Sequence, residues 1–511
     1  RRRPELGRAA PQRVAGSTAL LAAARSTAAT ELSDGSWTPP SEEITGMLRA
    51  IPGSYLADRK VLPLGTALLR RKSKMVKPEK VAKRDSTDKV GELMRVMRGP
   101  RMLGREKGGA LALTQIGTPS RLIVYEDPPG EISDLSPEEQ KLQRRTEPVG
   151  PKAVFNPRVR PVSNQTAVLW ERNPTMPGYR ALVERPLDVR VTGVDPKGVE
   201  VNYVARGWEA RLVQQAVDAL DGVVFTDRCI TRSLRHLDAQ DDPLPPDCPP
   251  VGDAGTPAKA QSDEELSALA ARGGSRGFLA GVPGLGRPNV LLAGSLLLRL
   301  RAKEVSDSEV ASTEVRDAVR ELKEALASGK HPLGIAAPQL GRRLRILAVG
   351  ETQKDIEKLT ARTRVSEEHR EFGPLVLINP VVRRKDRSPN AYFYERSTSL
   401  PGYEAVVGRA LELEVEALDE EGRALSFEAR GWKARLLQHT VDVLDGVLYV
   451  DRMERRSFRR DTVEDEVPDD VPFGVKLFVA IRAAAKRTRS GPSRTKTAGP
   501  ARGRAAPRAR R

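Results

Sequence analysis

Leu437-Gln438-His439-Thr440-Val441-Asp442-Val443-Leu444-Asp445-Gly446 is the stretch on which the reading of this chain turns. Its apolar spacing is helical, and residues four apart on a helix face the same way. Two His at that spacing can share one divalent metal, with a Glu beside the first as general base. Here His439 fills the first position, but Thr440 stands where the Glu would be and Val443 where the second His would be. The segment has the outline of a metal-hydrolase helix with its chemistry removed.

Two other stretches precede it. Gly334-Ile335-Ala336-Ala337-Pro338-Gln339-Leu340-Gly341 carries Gln339 in a small-residue turn, and Glu395-Arg396-Ser397-Thr398-Ser399-Leu400-Pro401 carries Ser397 between an acid and a Pro. Taken in order with Gln438 to Val443, they resemble the three signatures of the peptide deformylases, G-x-G-φ-A-A-x-Q-φ-G, E-G-C-L-S-φ-P and Q-H-E-x-D-H. The departures are Pro332 at the first Gly, Arg396 at the second-signature Gly and Ser397 at the metal-binding Cys. Order and spacing agree with the family from about 276 to 453, and the segment from Asn289 to Val305 looks like its N-terminal strand.

An earlier segment repeats the pattern. Residues 171–228 and 395–452 are identical at 28 of 58 positions, without a gap, at a constant offset of 224. Pro177-Gly178-Tyr179, Ala205-Arg206-Gly207-Trp208 and Leu220-Asp221-Gly222-Val223 all recur, and Gln115 lies 224 before Gln339. Self-similarity at one period marks a tandem duplication.

The resemblance implies a reaction: a metal held by one Cys and two His activates water against a formyl carbon, the Glu moves the proton, and the Gln steadies the oxyanion. Carried onto this chain, the second copy keeps Gln339 and His439 but has Ser397, Thr440 and Val443 at the Cys, Glu and second His. The first copy keeps Gln115 and has Asn173, Gln215, Ala216 and Ala219 at the Cys, first His, Glu and second His. A hydroxyl is a poor ligand beside a thiolate, and one imidazole does not replace three protein ligands. Neither copy is therefore expected to be an enzyme, and no catalytic residue, metal, cofactor or small-molecule substrate is expected. His331, near the first signature, is the candidate for a rebuilt site, and His439 reads as a hydrogen-bonded relic. Glu171, Glu395, Asp218 and Asp442 recur in both copies and read as a buried brace between strand and helix.

The formal net charge of +18 points to a polyanionic partner. From Lys476 to Arg511 there are 12 Lys or Arg and no acid, in a Gly-, Pro-, Ala- and Ser-rich tail that cannot bury a core. Lys486, Arg487, Arg489, Arg494, Lys496, Arg502, Arg504, Arg508, Arg510 and Arg511 are its candidate RNA-contacting residues. Two Cys, Cys229 and Cys248, support neither a disulfide framework nor a Cys-based zinc site. No apolar run approaches the ~20 residues of a membrane span. Residues 1–30 hold six Arg and one acid, Glu5, the composition of a mitochondrial transit segment. The opening at Arg1 is compatible with upstream cleavage, and the expected location is the mitochondrial matrix.

Apolar spacing predicts helices over 88–98, 207–221, 314–328 (capped by Thr313) and 431–445. Alternation predicts strands over 121–125, 187–194, 344–349 and 375–382, and a hairpin of 411–418 with 424–429. Short helices are expected at 263–272 and 475–487. The expected organisation is a basic extension (1–44), a first deformylase-like domain (45–235), a Pro/Asp/Gly-rich linker (236–275), a second domain (276–455), and an acidic segment leading into a basic tail (456–511). The fold class is α+β: two tandem deformylase-like domains, each with mixed and antiparallel sheets around a central motif helix; the sequence permits an intramolecular pseudo-dimer of the two copies but does not say whether they pack together.

A dead, duplicated enzyme fold with basic extensions points first to a structural protein of the mitochondrial ribosome. The large subunit is expected, because the resemblance places the ancestor where nascent chains emerge; the partners would be rRNA and ribosomal proteins. An assembly factor or a non-catalytic partner of a true deformylase is the alternative. A metal-dependent deformylase with a rebuilt site, and a module that holds formyl-Met peptides without cleaving them, rank below these.

Overall fold

The computed structural model describes residues 61–98, 108–253, 262, 264–266, 268, 290–328 and 333–463. The expected N-terminal extension, the helix at 475–487 and the cationic tail lie outside these residues, as does most of the expected helix at 263–272.

The first copy runs through β1 (Gly109–Ala112), β2 (Leu122–Asp127), β3 (Val149–Pro161), β4 (Thr166–Arg172), β5 (Tyr179–Pro186), β6 (Asp188–Val194), β7 (Glu200–Arg206), β8 (Arg235–His236) and β9 (Gly252–Asp253). The second runs through β10 (Gly334–Ala336), β11 (Ile346–Glu351), β12 (Phe372–Arg384), β13 (Asn390–Ser397), β14 (Leu400–Ala410), β15 (Glu412–Leu418), β16 (Ala424–Arg430) and β17 (Arg459–Arg460). Each copy builds one five-stranded antiparallel sheet, ordered β1-β2-β3-β6-β7 and β10-β11-β12-β15-β16. Each also builds a smaller sheet, β8-β5-β4-β9 and β13-β14-β17. Pairing thus continues past both expected domain ends, through β8 and β9 in one copy and β17 in the other.

Four longer helices pack on these sheets: α1 (Arg84–Arg98), α2 (Gly207–Leu220), α3 (Thr313–Ala327) and α4 (Gly431–Leu444). Every residue of β2 is buried, because successive side chains point to opposite faces and both faces are covered. Ile123 and Tyr125 join Val213 and Val217 of α2, whereas Leu122 and Val124 join Leu93 and Val96 of α1. The second copy repeats this: Leu347 and Val349 pack with Leu437 and Val441 of α4, and Ile346 and Ala348 with Val315 and Val319 of α3.

The structure corrects three local expectations. α1 begins at Arg84, four residues before the expected start at 88, because its first turn is polar and shows no apolar spacing. The cap of α3 is Ser312, whose Oγ accepts from the Val315 amide at 3.2 Å, and Thr313 is already helical. Residues 290–305 do not form a strand: Gly294 at φ +110° turns the chain into a 3-10 helix at Leu296–Arg299.

The two copies meet through reciprocal contacts. The His236 amide donates to the Ala293 carbonyl at 2.6 Å, and the Arg460 amide donates to the Leu64 carbonyl at 2.8 Å. Arg232 Nη2 donates to the Arg299 carbonyl at 2.6 Å, and Arg456 Nη2 to the Arg70 carbonyl at 3.2 Å. These four bonds form two mirrored pairs, one member of each running in either direction. One apolar core spans the junction, joining Leu64, Met176, Phe225 and Leu234 of the first copy to Leu298, Leu400, Tyr449 and Phe458 of the second.

Candidate functional site

Glu395, at the end of β13, is buried at the centre of the second copy. Arg409 of β14 grips it through Nε and Nη2, both at 2.8 Å, and reaches Asp442 of α4 through Nη1 at 2.5 Å. His439 Nδ1, one turn earlier on α4, donates to Glu395 Oε2 at 2.9 Å. Burial alone would push the Glu395 carboxyl up, but Arg409 and His439 outweigh it and hold it well below the usual range. The motif helix is thus tied to the strand by a charged cluster in which the buried charges are paired and hydrogen-bonded.

The remaining motif positions are taken up by packing and local bonds. Thr440 is buried and donates its hydroxyl to the carbonyls of Leu436 and Leu437, at 2.9 and 3.2 Å. Val443 belongs to the apolar core. Ser397 Oγ accepts from the Ser399 amide at 3.3 Å. Gln339 Oε1 accepts from the Ala336 amide at 3.0 Å, and its Nε2 donates to Thr398 and Ser399, each at 3.2 Å. One imidazole, a serine hydroxyl and a valine do not make the three-ligand set that a catalytic divalent ion needs. Among the described residues, no group of three His, Cys, Asp or Glu is placed to hold a metal.

The first copy keeps the brace and drops the imidazole. Arg185 binds Glu171 and, at 2.7 Å, Asp218. Arg211 of α2 supplies the second cation on Glu171, with Nη1 at 2.6 Å. Its counterpart Arg435 stays 3.8 Å from Glu395, where His439 has taken the place. Gln215, at the His439 position, donates instead to the Arg172 carbonyl at 2.7 Å. Ala216 and Ala219 are buried in the apolar core. Gln115 holds the Ala112 amide at 2.8 Å and donates to Asn173 Oδ1 at 3.4 Å.

The acids of the brace were legible from the repeat, but Arg185, Arg409 and Arg211 were not singled out. The available clue was their recurrence at the same offset of 224. Of the other His, His236 accepts from the Asp238 amide, His369 sits between Glu351 at 2.6 Å and Glu367 at 3.8 Å, and His331 lies outside the described residues. So do the tail residues from Lys486 to Arg511. A surface cavity of ≈ 380 Å³, lined by Val315, Val319, Lys323 and Glu420 among others, holds none of the motif positions. Among the described residues no helix is long and apolar enough to cross a membrane.

The comparisons with known proteins match this double architecture. The family model of polypeptide deformylase matches residues 58–235 and 288–459. The chloroplastic peptide deformylase 1A of Solanum lycopersicum is 37% identical over 177 residues, covering 35% of this chain and 62% of the relative. The chloroplastic/mitochondrial peptide deformylase 1A of Arabidopsis thaliana is 36% identical over 174 residues, covering 34% and 63%. The matches therefore span somewhat less than two thirds of these two relatives. The mitochondrial peptide deformylase of Homo sapiens is 29% identical over 170 residues, covering 33% and 69%. With both copies matched and more than half of its length inside them, the chain belongs to the polypeptide deformylase family.

Proposed function

We propose that this protein is a deformylase relative that has exchanged catalysis for structure, as a component of the mitochondrial ribosome that contacts rRNA and neighbouring proteins through its basic extensions. One observation carries this reading. In both copies the positions needed for metal and base are filled by side chains engaged in packing or in local hydrogen bonds, from Val443 and Thr440 to Ala216 and Ala219. Loss of the base alone typically removes ~10²–10⁴-fold in rate, and the ligand set is missing as well. The partner class is supported by the net charge of +18, concentrated in a tail with 12 cations and no acid. An organelle is supported by the chloroplastic and mitochondrial names of the relatives. The reciprocal contacts between copies favour an isologous pseudo-dimer within one chain. The large subunit follows by analogy with where deformylases meet nascent chains.

Sedimentation of the tagged protein from a mitochondrial lysate, at low and then high salt, tests the proposal. Co-migration with mature large subunits or monosomes at both salts, near one copy per particle, is expected. Recovery only with immature particles would make it an assembly factor, and recovery at the top of the gradient would contradict the ribosomal reading.

A further inference from the structure

We infer that residues 71–84, on the folded part of the first copy, form a docking face for the phosphate backbone of a structured RNA, separate from the C-terminal tail. The inference rests on the RNA-binding reading above and adds a location to it. Residues 71–84 hold seven cations, among them Lys72, Lys74, Lys77, Lys80 and Lys83, against one acid, Glu79. All eight are exposed. The ion pairs of the neighbourhood, Arg84–Asp88 and Lys89–Asp85, leave those five lysines without an acidic partner among the described residues.

The second copy is the internal control. Residues 300–313 follow the same backbone path with two cations, Arg301 and Lys303, against three acids, Glu304, Asp307 and Glu309. The path is anchored alike in both. The Val76 amide donates to Asn156 Oδ1 at 2.8 Å, and the Val305 amide to Asn379 Oδ1 at 2.9 Å. The Ser73 amide donates to the Leu220 carbonyl, and the Ala302 amide to the Leu444 carbonyl, both at 2.7 Å. The fold forms with either sign of charge, so the cationic surface of the first copy is not there to build it. The adjoining hairpin turn follows the same rule. It carries Lys197 in the first copy, next to Gly198, which lies beside Ala82, and Glu421 at the equivalent position of the second.

Phosphate is the ligand that this surface fits. Lysines projecting from a backbone pinned at Ser73, Lys74 and Val76 lose less freedom on binding than lysines on an unanchored backbone would. A protein partner would call for an apolar or aromatic centre, and in this segment only Met75 is a large exposed hydrophobic residue.

The test compares the full-length protein with K74Q/K77Q/K80Q/K83Q and with the control R301Q/K303Q, titrating a labelled RNA hairpin across a series of KCl concentrations. All six positions are exposed, so melting temperatures should be unchanged. The quadruple variant should bind roughly tenfold more weakly, with a log K against log salt slope shallower by about three. The control should match wild type. An unchanged slope in the quadruple variant, or an equal loss in the control, would overturn the docking face while leaving the ribosomal reading intact. A variant that binds RNA normally but dissociates from the particle would replace RNA with an acidic protein and overturn the inference. Wild-type protein that neither binds RNA nor sediments with particles would overturn both readings.

Discussion

Tyr179 and Tyr403 meet edge to face across the junction of the copies, with ring centroids 5.4 Å apart and planes at 80°. They are the same position of the repeat, 224 residues apart, so the approximate twofold relation between the copies passes between them. Tyr403 in turn stacks on Phe458, at 5.4 Å and 5°. An edge-to-face pair adds about 0.5–1.5 kcal/mol beyond the area it buries. The buried aromatic rings and the reciprocal backbone bonds around them join two formerly equivalent domains into one core.

Two glycines measure how tight that junction is. Gly65 and Gly294 have φ of +102° and +110°, and a Cβ on either would enter the side chain of Arg459 or Arg235 from the other copy. Gly117 and Gly341 share the left-handed backbone, at +97° and +87°, but a Cβ there meets nothing within 4 Å. Ala at the latter two should lose only the roughly 1–2 kcal/mol of left-handed strain. Ala at Gly65 or Gly294 should lose clearly more in denaturant melts. Equal losses at all four would mean that the junction yields easily.

The Glu–Arg–Asp brace predicts a second pattern. Arg409→Met leaves Glu395 buried and unpaired on its main side, which should destabilise by ~3–5 kcal/mol. Arg185→Met should act similarly on Glu171, which keeps Arg211 at 2.6 Å and so should lose less. Adding Glu395→Gln to Arg409→Met should recover part of the loss by removing the stranded charge. If the double variant is no more stable than the single, the brace is not what holds strand to helix.

Much of this was legible in the sequence. α4 lies within a residue of its expected limits because Gly431 and Gly446, at φ +55° and +73°, punctuate it. The acids of the brace emerged because the repeat is ungapped from 171 to 228. The junction was harder to read. Its contacts pair Leu64 and Gly65 with Arg459 and Arg460, and Ala293 and Gly294 with Arg235 and His236. Gly65 and Gly294 are 229 apart rather than 224, so an ungapped comparison does not align them. The cap of α3 was ambiguous for a local reason, since Ser312 and Thr313 are adjacent and both residue types cap helices, Ser somewhat better.

His369 sets a pH dependence. Its side chain is shielded from solvent, stacks on Trp432 at 4.6 Å, and its Nδ1 meets Glu351 at 2.6 Å. Burial alone would lower its pKa, but Glu351 and Glu367 outweigh it and raise the value. A group raised in the folded state stabilises fully below its unfolded pKa, about 6.5, and that contribution is lost as pH rises through the folded value. The stability gap between wild type and His369→Gln should therefore be widest in mild acid and narrow above neutrality. A gap that widens with pH would reverse the sign and contradict the assignment.

The retained fold also predicts that a metal site can be rebuilt. With Nδ1 of His439 committed to Glu395, the other ring nitrogen is the one left to bind a metal, with a carboxylate behind the ring. Ser397→Cys with Val443→His would complete a Cys and two-His set on the same strand end and helix face. The double variant should take up about one zinc per chain by elemental analysis, where wild type should stay well below that ratio. A variant that stays folded and metal-free would mean that the site's geometry was lost along with its ligands.

The central claim, a deformylase fold kept without its chemistry, is tested most directly by one assay on the full-length protein. It would be purified with iron, nickel or zinc supplied, analysed for bound metal, and presented with a formyl-Met peptide. The account predicts substoichiometric metal and no release of formate above a metal-free blank. Bound metal near one per copy, with turnover abolished by His439→Ala, would contradict it.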